Sequence, residues 1–396
     1  MFESVGMAPP DPIFGLMEAF AQDTNPAKIN LATGIYTDAS GNTPVLASVK
    51  RAEERILKEE MTKSYKPIQG APEFGEAVQD LLFGRSHEVV VSRRCATAHT
   101  PGGTAALRLV ADYLKQHSPL STIWLSHPTW ANHPNIFRSA GLKVRSYSYV
   151  DQANNQLDFD RCLQALKAIP AGDVVVLHGC CHNPTGIDPN REQWARIASV
   201  LAERKILPIV DLAYQGFGDG VEEDAAGLQE LCGPGCEMMI CSSFSKNFSL
   251  YNERVGALTI LARSQEDAQA VLSHVKVCIR AHYSNPPAHG GTIITTVFRD
   301  AELRSLWAEE IREMRARINE MRRLFVQSMG AKGVRQDFSS VGEHRGMFTM
   351  SGLSKEQIRT LREKSSIYVV DSGRINISGM TEANMPILCE AIASVL

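Results

Sequence analysis

Short runs of apolar, β-prone residues alternate with amphipathic stretches through the middle of the chain. Several of these runs are apolar on both faces, which is typical of parallel strands buried in a sheet. The predicted strands are 122–126, 143–149, 174–178, 207–211, 238–243 and 256–262. Strand–helix alternation of this kind predicts an α/β fold with a parallel sheet that is covered on both sides.

Two helices are indicated by their periodicity and their ends. Residues 189–205 are amphipathic, with Asp188 as the expected N-cap and Pro189 at the first helical position. Residues 300–325 predict a helix of about seven turns, long enough to carry the chain from the sheet into a second domain. Its apolar stripe consists of Leu303, Leu306, Trp307, Ile311, Met314, Ile318, Met321 and Phe325.

The carboxyl-terminal part has the pattern of a smaller α+β unit. Ser354 and Gln357 have capping-box spacing, and a short strand is expected near residues 374–379. The irregular first 40 or so residues are expected to pack with this unit. The predicted organisation is a large domain of residues 44–312 and a small domain made of residues 1–43 and 313–396.

The composition excludes several classes of protein. The chain has 396 residues, 44% of them hydrophobic and 21% charged, with a formal net charge of -3. These values are ordinary for a globular protein and indicate neither nucleic acid nor an anionic membrane as a partner. No apolar run reaches transmembrane length, and residues 1–16 lack the regions of a signal peptide, so we expect a cytoplasmic protein.

The nine cysteines fit reduced thiols better than a disulfide framework, because their number is odd and no export signal is recognised. Cys180 and Cys181 are adjacent. Cys232 and Cys236 flank the tripeptide "GPG", but no second cysteine pair lies nearby in the sequence. We therefore expect no zinc or other metal site.

Polar residues collect where successive predicted strands end. His178 ends one strand and precedes "GCCHNPTG", Asp211 ends the next, and Ser243 ends a third, three residues before Lys246. Taken singly, an aspartate here is more often a helix cap, a lysine is usually a surface charge, and residues 183–186 could be only a turn. Because ligands bind beyond the carboxyl ends of parallel strands, their joint occurrence predicts one crevice with an amide, a carboxylate and an amine.

A bound pyridoxal phosphate accounts for this set of groups. The cofactor needs an amine for a Schiff base, an acid partner for its ring nitrogen and a cradle for its phosphate. Lys246 supplies the amine and Asp211 the carboxylate, and Asn183 and Tyr214 can both donate to the phenolic oxygen of the ring.

The phosphate cradle is predicted at a glycine-rich turn. Residues 99–104, "HTPGGT", open a helix whose first backbone N–H groups are free to bind an anion. The predicted phosphate ligands are Gly102, Gly103, Thr104, Ser243, Ser245 and Arg254.

From end to end, the sequence resembles the fold-type I, pyridoxal-phosphate-dependent aminotransferases of the aspartate/aromatic subgroup. The resemblance lies in "DPIFGL", "TPGGT", "HPTW", "HGCCHNPTGIDP", "DLAYQGFG", "SFSKNFSLYNERVG", "SNPPAHG" and "SGRINISGM". It implies a three-layer α/β fold with a mostly parallel central sheet and a smaller α+β domain.

The same resemblance implies a role for each matching residue. Lys246 is the Schiff-base lysine and proton shuttle, Asp211 is the partner of the ring nitrogen, and His133 supports Asp211. The implied catalytic group is Lys246, Asp211 and Tyr214, with Trp130 stacked on the ring. The implied substrate-binding residues are Gly34, Trp130, Asn183, Arg280 and Arg374. Tyr65, a cofactor-binding residue, and Arg280 are implied to reach into the site of a neighbouring subunit, which requires a homodimer.

Two arginines at one site favour a dicarboxylate that is held at both ends. We therefore expect a ping-pong aspartate aminotransferase that uses aspartate, glutamate, oxaloacetate and 2-oxoglutarate, with a dual-specificity aromatic aminotransferase as the alternative. Thr104, Asn285 and Thr43 resemble the aspartate branch, whereas Phe244 and residues 14–20 resemble the aromatic branch. Thr33 and Ile35 match neither branch.

Other functions account for less of the sequence. A dehydrogenase is disfavoured because the glycine fingerprint for a dinucleotide is missing. A decarboxylase or lyase of the same fold would not need paired substrate arginines, and a transcriptional regulator would need an added DNA-binding domain.

Overall fold

The computed structural model describes residues 2–7, 12–151 and 154–396, and the side chains of residues 12–14 also lie outside the description. The strands are β1 (Ile29–Asn30), β2 (Cys95–Pro101), β3 (Thr122–His127), β4 (Lys143–Ser148), β5 (Val150–Asp151), β6 (Gln156–Leu157), β7 (Val174–His178), β8 (Leu207–Leu212), β9 (Met238–Ser243), β10 (Val255–Leu261), β11 (Phe348–Met350), β12 (Ile367–Tyr368) and β13 (Arg374–Asn376). The helices are α1 (Pro12–Gln22), α2 (Ala47–Glu59), α3 (Pro72–Phe83), α4 (Glu88–Val91), α5 (Gly103–His117), α6 (His133–Ser139), α7 (Phe159–Lys167), α8 (Arg191–Arg204), α9 (Ala226–Glu230), α10 (Gln265–His282), α11 (Ala288–Arg299), α12 (Ala301–Gly330), α13 (Lys355–Ser365) and α14 (Met385–Val395).

The central sheet has seven strands in the order β2-β10-β9-β8-β7-β3-β4. The strands pair in parallel except for β10, which is antiparallel to both of its neighbours. All six predicted strands are present, with ends that differ by one residue at most. The sequence analysis missed β2, which forms one edge of the sheet. The predicted α/β fold with a mostly parallel sheet is confirmed.

Helices cover both faces of the sheet, as the apolar strands predict. Along β7, every residue is buried. Val175 and Leu177 belong to one hydrophobic cluster, whereas Val174 and Val176 belong to a second cluster on the opposite face. Because successive side chains of a strand point to opposite faces, the alternation shows that apolar layers lie against both sides of the sheet.

The register of the sheet brings the polar strand ends together. His178 pairs with Asp211 across β7 and β8, and Asp211 pairs with Cys241 across β8 and β9. On the other side of β9, Ser243 pairs with Gly256. The carboxyl ends of three parallel strands therefore meet at one edge of the sheet, where the crevice was predicted.

The predicted N-cap of α8 is wrong. The helix begins at Arg191, and the Asn190 side chain accepts the Gln193 backbone N–H at 2.9 Å in a complete capping box. Asp188 instead accepts the backbone N–H groups of Cys181, at 2.6 Å, and His182, at 2.9 Å. Asp188 and Asn190 are both suitable N-cap residues, but the Asp188 carboxylate is occupied by hydrogen bonds within the loop that precedes the helix.

Helix α12 is longer than predicted. It spans 30 residues, five more at its carboxyl end than the sequence indicated, and Asp300 caps its start by accepting the Leu303 N–H at 2.9 Å. All the predicted stripe residues are buried except Leu306, which is half-buried. The helix runs from the large sheet to the carboxyl-terminal elements.

The two ends of the chain pack together. Strand β1 pairs in parallel with β12, and β11 pairs with β13 in antiparallel orientation. The predicted capping box of α13 is confirmed, with Ser354 and Gln357 bonded to each other's backbone N–H groups. In the part of the chain that the structure describes, no helix has both the length and the apolarity of a membrane span.

Candidate active site

A cavity of about 250 Å³ opens at the carboxyl ends of the sheet. It brings together most of the residues that the sequence analysis selected. Its lining consists of Gly34, Gly103, Thr104, Leu107, Trp130, His178, Cys180, Asn183, Asp211, Ala213, Tyr214, Ser243, Ser245, Lys246, Tyr251, Arg254, Phe348 and Arg374.

Lys246 lies in the turn that follows β9 and points into this cavity. Its Nζ is 4.8 Å from the centre of the Tyr214 ring. Loss of water around the amine lowers the pKa of Lys246 to about 8, and the charges of Arg254 and Arg374 contribute to the decrease against the opposing effect of Asp211. Near neutral pH, a useful fraction of this amine is therefore neutral and nucleophilic.

Asp211 is buried at the end of β8 and is held by a chain of hydrogen bonds. Its Oδ2 lies 2.9 Å from His133 Nε2, and His133 Nδ1 lies 2.8 Å from Thr129 Oγ1. Thr129 Oγ1 is in turn 3.2 Å from His178 Nε2. Burial alone would raise the pKa of Asp211, but the His133 hydrogen bond and the charges of the histidines and Lys246 bring it below its ordinary value. Asp211 is therefore a carboxylate in a site that would otherwise favour its neutral form.

Hydroxyl groups and a guanidinium line the opposite end of the cavity. Ser243 Oγ donates to Ser245 Oγ at 3.3 Å, and Arg254 Nη1 donates to Ser245 Oγ at 3.3 Å and to the Tyr251 carbonyl at 3.0 Å. Helix α5 begins at Gly103 beside these groups, and its first N–H groups have no acceptor within the helix. These donors and the positive end of the helix form an anion site.

The glycines of this site are required by the space around them. A Cβ on Gly102, whose φ is +84°, would lie 2.4 Å from Arg254 Nη2, and a Cβ on Gly103 would lie 3.1 Å from Ser243 Cβ. A side chain at either position would push into the guanidinium or the hydroxyls. The cradle is thus shaped by glycine to let an anion reach backbone N–H groups and Arg254 together, and the donor set fits the phosphate of pyridoxal phosphate.

Arg374 lies on β13 at the rim nearest the small elements. Its Nη2 donates to the Ala32 carbonyl at 2.7 Å and its Nη1 to Asn183 Oδ1 at 3.3 Å, and its guanidinium lies 4.2 Å from the centre of the Phe348 ring. Burial lowers the pKa of Arg374, with an opposing effect of Tyr214. Within the described residues, its buried Nε has no hydrogen-bond partner. The side chain is therefore preorganised and retains donor capacity for an anionic ligand.

Asn183 and Tyr214 lie between these two ends. Asn183 Nδ2 donates to the Tyr214 hydroxyl at 3.4 Å. Burial raises the pKa of Tyr214, so its hydroxyl remains protonated and can donate to an oxygen in the cavity.

Not every selected residue reaches the cavity of its own chain. Tyr65 is 93% exposed, and the exposed Arg280 on α10 donates to Ser284. Phe244 is buried behind the cavity between Phe74 and Phe248 rather than lining it. Asn285 Nδ2 donates to the Lys66 carbonyl at 3.5 Å, outside the cavity lining.

Sequence reasoning missed several residues that line the cavity, among them Tyr251 and Phe348. The Tyr251 hydroxyl accepts the backbone N–H of Tyr36 at 2.8 Å and so ties the amino-terminal segment to the cavity. Tyr251 lies within the segment "SFSKNFSLYNERVG", so its position between Lys246 and Arg254 could have indicated a place in the site. Phe348 lies under Arg374, but in the sequence "GMFTM" reads only as a core strand.

In the described part of the chain, one group of three candidate metal ligands lies next to the cavity, namely Cys180, which also lines it, Cys181 and Asp224. The Asp224 carboxylate already accepts the backbone N–H groups of Gly216 and Gly218 on Oδ2, at 2.8 and 2.9 Å, and Asp219 on Oδ1. This carboxylate organises a loop, so the group has the features of a structural cluster.

Comparison with known proteins agrees with this geometry. The sequence pattern of the family "Aminotransferase class I and II" matches residues 26–392. The aspartate aminotransferase of Escherichia coli is 50% identical over 396 residues, with both chains covered completely. The aromatic-amino-acid aminotransferase of Pseudomonas aeruginosa is 43% identical over 394 residues, covering 100% of this chain and 98% of that one.

Solved structures give the same result. An aromatic-amino-acid aminotransferase from Burkholderia pseudomallei, covalently bound to pyridoxal phosphate, superposes with a TM-score of 0.97 at 43% identity, covering 100% of this chain and 99% of that chain. The cytoplasmic aspartate aminotransferase of Saccharomyces cerevisiae superposes with a TM-score of 0.96 at 32% identity, covering 100% and 98%. The chain therefore belongs to the class I and II aminotransferase family, as a fold-type I enzyme that depends on pyridoxal phosphate.

Proposed function

We propose that this enzyme transfers the amino group between L-aspartate or L-glutamate and the 2-oxo acids oxaloacetate and 2-oxoglutarate, by a ping-pong mechanism. The observation that carries the proposal is that one cavity holds the Lys246 amine together with the Asp211 carboxylate and the Arg374 guanidinium. The first two groups serve the cofactor and the reacting carbon, and the third serves an anionic substrate.

The cofactor would be held at both ends. Its phosphate would be bound by the donors at the start of α5 and on the turn after β9, and its ring would be held by Trp130, Ala213 and Asp211, which line the cavity. The proposed phosphate ligands are Gly102, Gly103, Thr104, Ser243, Ser245 and Arg254, with Tyr65 of a second copy. Asn183 and Tyr214 would donate to the phenolic oxygen.

When bound, pyridoxal phosphate supplies an aldehyde that takes up an amino group and a ring that accepts electrons from the substrate's α carbon. Asp211 would hold a proton at the ring nitrogen, since its carboxylate is stabilised by the hydrogen bond with His133. Lys246 would remove the proton from the substrate's α carbon and later release it to the carbon on the other side of the transferred amino nitrogen. Its pKa of about 8 lets the amine both accept and release a proton near neutral pH.

Arg374 would bind the α-carboxylate of the substrate in a bidentate pair. Asn183, which accepts from Arg374 Nη1, fixes the plane of the guanidinium, and Gly34 leaves room for the carboxylate beside it. The distal carboxylate of aspartate or glutamate requires a second cation, for which we propose Arg280.

Arg280 lies outside the cavity of its own chain, so we propose that it acts in the site of a second copy in a homodimer. Apolar side chains are exposed near both Tyr65 and Arg280 in the sequence: Leu57 and Met61, in and after α2, are 85% and 90% exposed, Tyr65 itself is 93% exposed, and Val277, one helical turn before Arg280 on α10, is 62% exposed. A second copy that binds against these two segments would cover these apolar side chains.

We also propose the division into a large domain of residues 44–312 and a small domain of residues 1–43 and 313–396. Thr37 Oγ1 donates to the Ser378 carbonyl at 2.8 Å, and β1 pairs with β12, so the amino-terminal segment packs with the carboxyl-terminal elements. A cytoplasmic location stays a prediction.

Aspartate is preferred over aromatic substrates for two reasons. The relatives named aspartate aminotransferases are 44–50% identical, whereas the aromatic-amino-acid and tyrosine aminotransferases are 40–43% identical. In addition, an aromatic side chain would leave the charge of Arg280 unpaired. The fold does not discriminate, because structures of both kinds superpose closely.

Turnover of aspartate, tyrosine and phenylalanine, each with 2-oxoglutarate as the acceptor, tests the proposal. We expect the highest kcat/KM with aspartate and a visible absorbance band of the purified enzyme that changes when an amino acid is added. A tenfold or larger preference for phenylalanine or tyrosine over aspartate would assign the aromatic alternative instead. A chain that transfers no amino group from any of the three would contradict the proposal.

A further inference from the structure

Two half-buried cysteines face each other at the end of the sheet opposite to Lys246. Cys232 and Cys236 lie in the loop between α9 and β9. The Cys236 N–H donates to the Gly233 carbonyl at 3.1 Å, and Gly235 has a φ of +69°, so the Gly-Pro-Gly segment forms a tight turn. The two thiols are hydrogen-bonded to each other. The turn thus holds the two sulfurs in contact, while Cys232 Sγ also lies 3.3 Å from the Leu228 carbonyl oxygen.

An arginine is fixed beside one of these sulfurs. Arg94 is 5% exposed, and its Nη1 lies 3.7 Å from Cys236 Sγ and 3.4 Å from the Cys236 carbonyl. Its Nε and Nη2 bind the Glu88 carboxylate at 2.9–3.1 Å, and Nη1 also donates to the Ala262 carbonyl at 3.2 Å. Because these partners hold the guanidinium whatever the state of the cysteines, Cys236 has a permanent cation next to its sulfur.

The two sulfurs are therefore not equivalent. The hydrogen bond from Cys232, followed by the contact with Arg94, lowers the pKa of Cys236, while burial and the Glu88 charge oppose the decrease. The same hydrogen bond and burial raise the pKa of Cys232. Cys236 is the sulfur that becomes a thiolate, because Arg94 contacts Cys236 directly. The neighbouring Cys95 is buried, and burial raises its pKa to about 11.

The remaining thiols are less accessible. Of the nine cysteines, the other seven are buried, whereas Cys232 and Cys236 are half-buried and can be reached from solvent. A thiolate next to a fixed cation, with a second thiol in contact and access to solvent, is the arrangement found at reactive cysteines.

From this geometry we infer that Cys232 and Cys236 form a thiol–disulfide exchange site for low-molecular-weight disulfides, with Cys236 as the attacking and Cys232 as the resolving sulfur. The Cys236 thiolate attacks one sulfur of the disulfide RSSR, the S–S bond breaks, and the first RS⁻ leaves and takes a proton from water. Cys232 then gives up its proton and attacks the Cys236 sulfur, which releases the second RS⁻. The cysteine pair loses two electrons to become an intrachain disulfide, and RSSR is reduced to two RSH.

This site is independent of the proposed transamination and can be tested without measuring it. The enzyme with its cofactor is incubated with glutathione disulfide near neutral pH, alkylated, digested and mapped by mass spectrometry. We expect the peptide that contains residues 232–236 to lose two hydrogen masses and to regain them with dithiothreitol, while the peptide that contains Cys95 stays reduced.

Two serine variants separate the roles of the sulfurs. Both cysteines are half-buried and pack against the edge of the hydrophobic cluster, and serine is close to cysteine in size, so most of this packing is kept. Cys232→Ser is expected to stop at a glutathione adduct on Cys236, since no resolving thiol remains. Cys236→Ser is expected to react at least about tenfold more slowly, because Cys232 lacks the contact with Arg94. Equal rates for the two variants, or oxidation of the buried cysteines before this pair, would overturn the inference.

Discussion

The two arginines proposed for one substrate lie in opposite surroundings. Arg374 is 5% exposed, is bonded to Ala32 and Asn183, and lines the cavity of its own chain. Arg280 is exposed on α10, donates to nearby Ser284, and lines no part of that cavity. Both guanidinium groups suit a carboxylate, but only that of Arg374 is already positioned in the cavity to bind one.

Under the proposed assignment, the difference separates the groups that one chain provides from those that a second copy would provide. Apart from Tyr65, the proposed cofactor groups lie within the chain, at the strand ends of the sheet and the start of α5, and the proposed partner of the α-carboxylate lies on β13. The proposed partner of the distal carboxylate, Arg280, lies on the surface of its own chain. Substrate choice should therefore depend on the assembled dimer, whereas the chemistry common to all amino acids should depend on the single cavity.

The largest effect is expected inside the cavity, at Lys246. Lys246→Ala should lower aspartate turnover by about 10⁴-fold or more, because both the covalent anchor and the proton-transferring amine are lost. The variant should still bind the cofactor through the phosphate cradle, but borohydride should no longer attach it, which mass spectrometry can measure. Lys246→Arg is the matched control: it keeps the charge but cannot release a proton, so it should be almost as inactive. An active Lys246→Ala enzyme with a borohydride-reducible cofactor would contradict the assignment.

The second effect is expected at Arg374, and it should not depend on the substrate. Arg374→Leu removes the bidentate partner of the α-carboxylate that every amino acid carries, so kcat/KM should fall by about 100- to 1000-fold for aspartate and phenylalanine alike. Arg374→Lys should retain only part of the original kcat/KM, because an ammonium group cannot make the bidentate contact. A loss confined to aspartate would indicate that Arg374, and not Arg280, binds the distal carboxylate.

The third effect is expected at Arg280, and it should depend on the substrate. Arg280→Leu should lower kcat/KM for aspartate by about 100-fold or more, since the distal carboxylate would be left without its cation. Turnover of phenylalanine should be unchanged or improved, because no charge then faces the ring. Parallel measurements on both substrates, with Arg280→Lys as the charge-preserving control, decide the matter: equal losses would indicate a structural role.

The parts of the fold and of the site that could be predicted from the sequence are those with a local sequence signal. The buried strands and the strand-end residues Asp211 and Lys246 were predictable, because continuous apolar runs and the placement of polar groups at their ends are local signals. Strand β2 was missed because its polar Thr97 and His99 do not look like a buried strand. In the structure both are buried, and Thr97 Oγ1 lies 2.9 Å from Thr259 Oγ1 of β10.

Contacts between distant segments were the harder part. Phe348 lies under Arg374 only because β11 pairs with β13, and nothing in its own sequence environment indicates a cavity. Asp188 and Asn190 are equally good caps by residue type. The choice between them rests on the N–H groups of Cys181 and His182, which are brought to Asp188 by a turn.

The smallest effect joins the two halves of the comparison in one experiment. If Arg280 serves the site of the partner, Lys246→Ala and Arg280→Leu damage different sites of a mixed dimer. The site built on the chain without Lys246 also receives the altered arginine, so both faults fall in one place. The other site combines an intact Lys246 with an intact Arg280.

The two variants are unfolded and refolded separately and together, and aspartate turnover is compared. Random association of equal amounts makes about half of the dimers mixed, each with one intact site, so about a quarter of the unaltered activity should return. The control is a mixture of the Lys246→Ala chain with a chain that carries both changes. No chain in this mixture has Lys246, so it should stay inactive. If mixed dimers form and no activity returns, Arg280 does not act across the interface, and the distal carboxylate must be bound by a residue of the same chain.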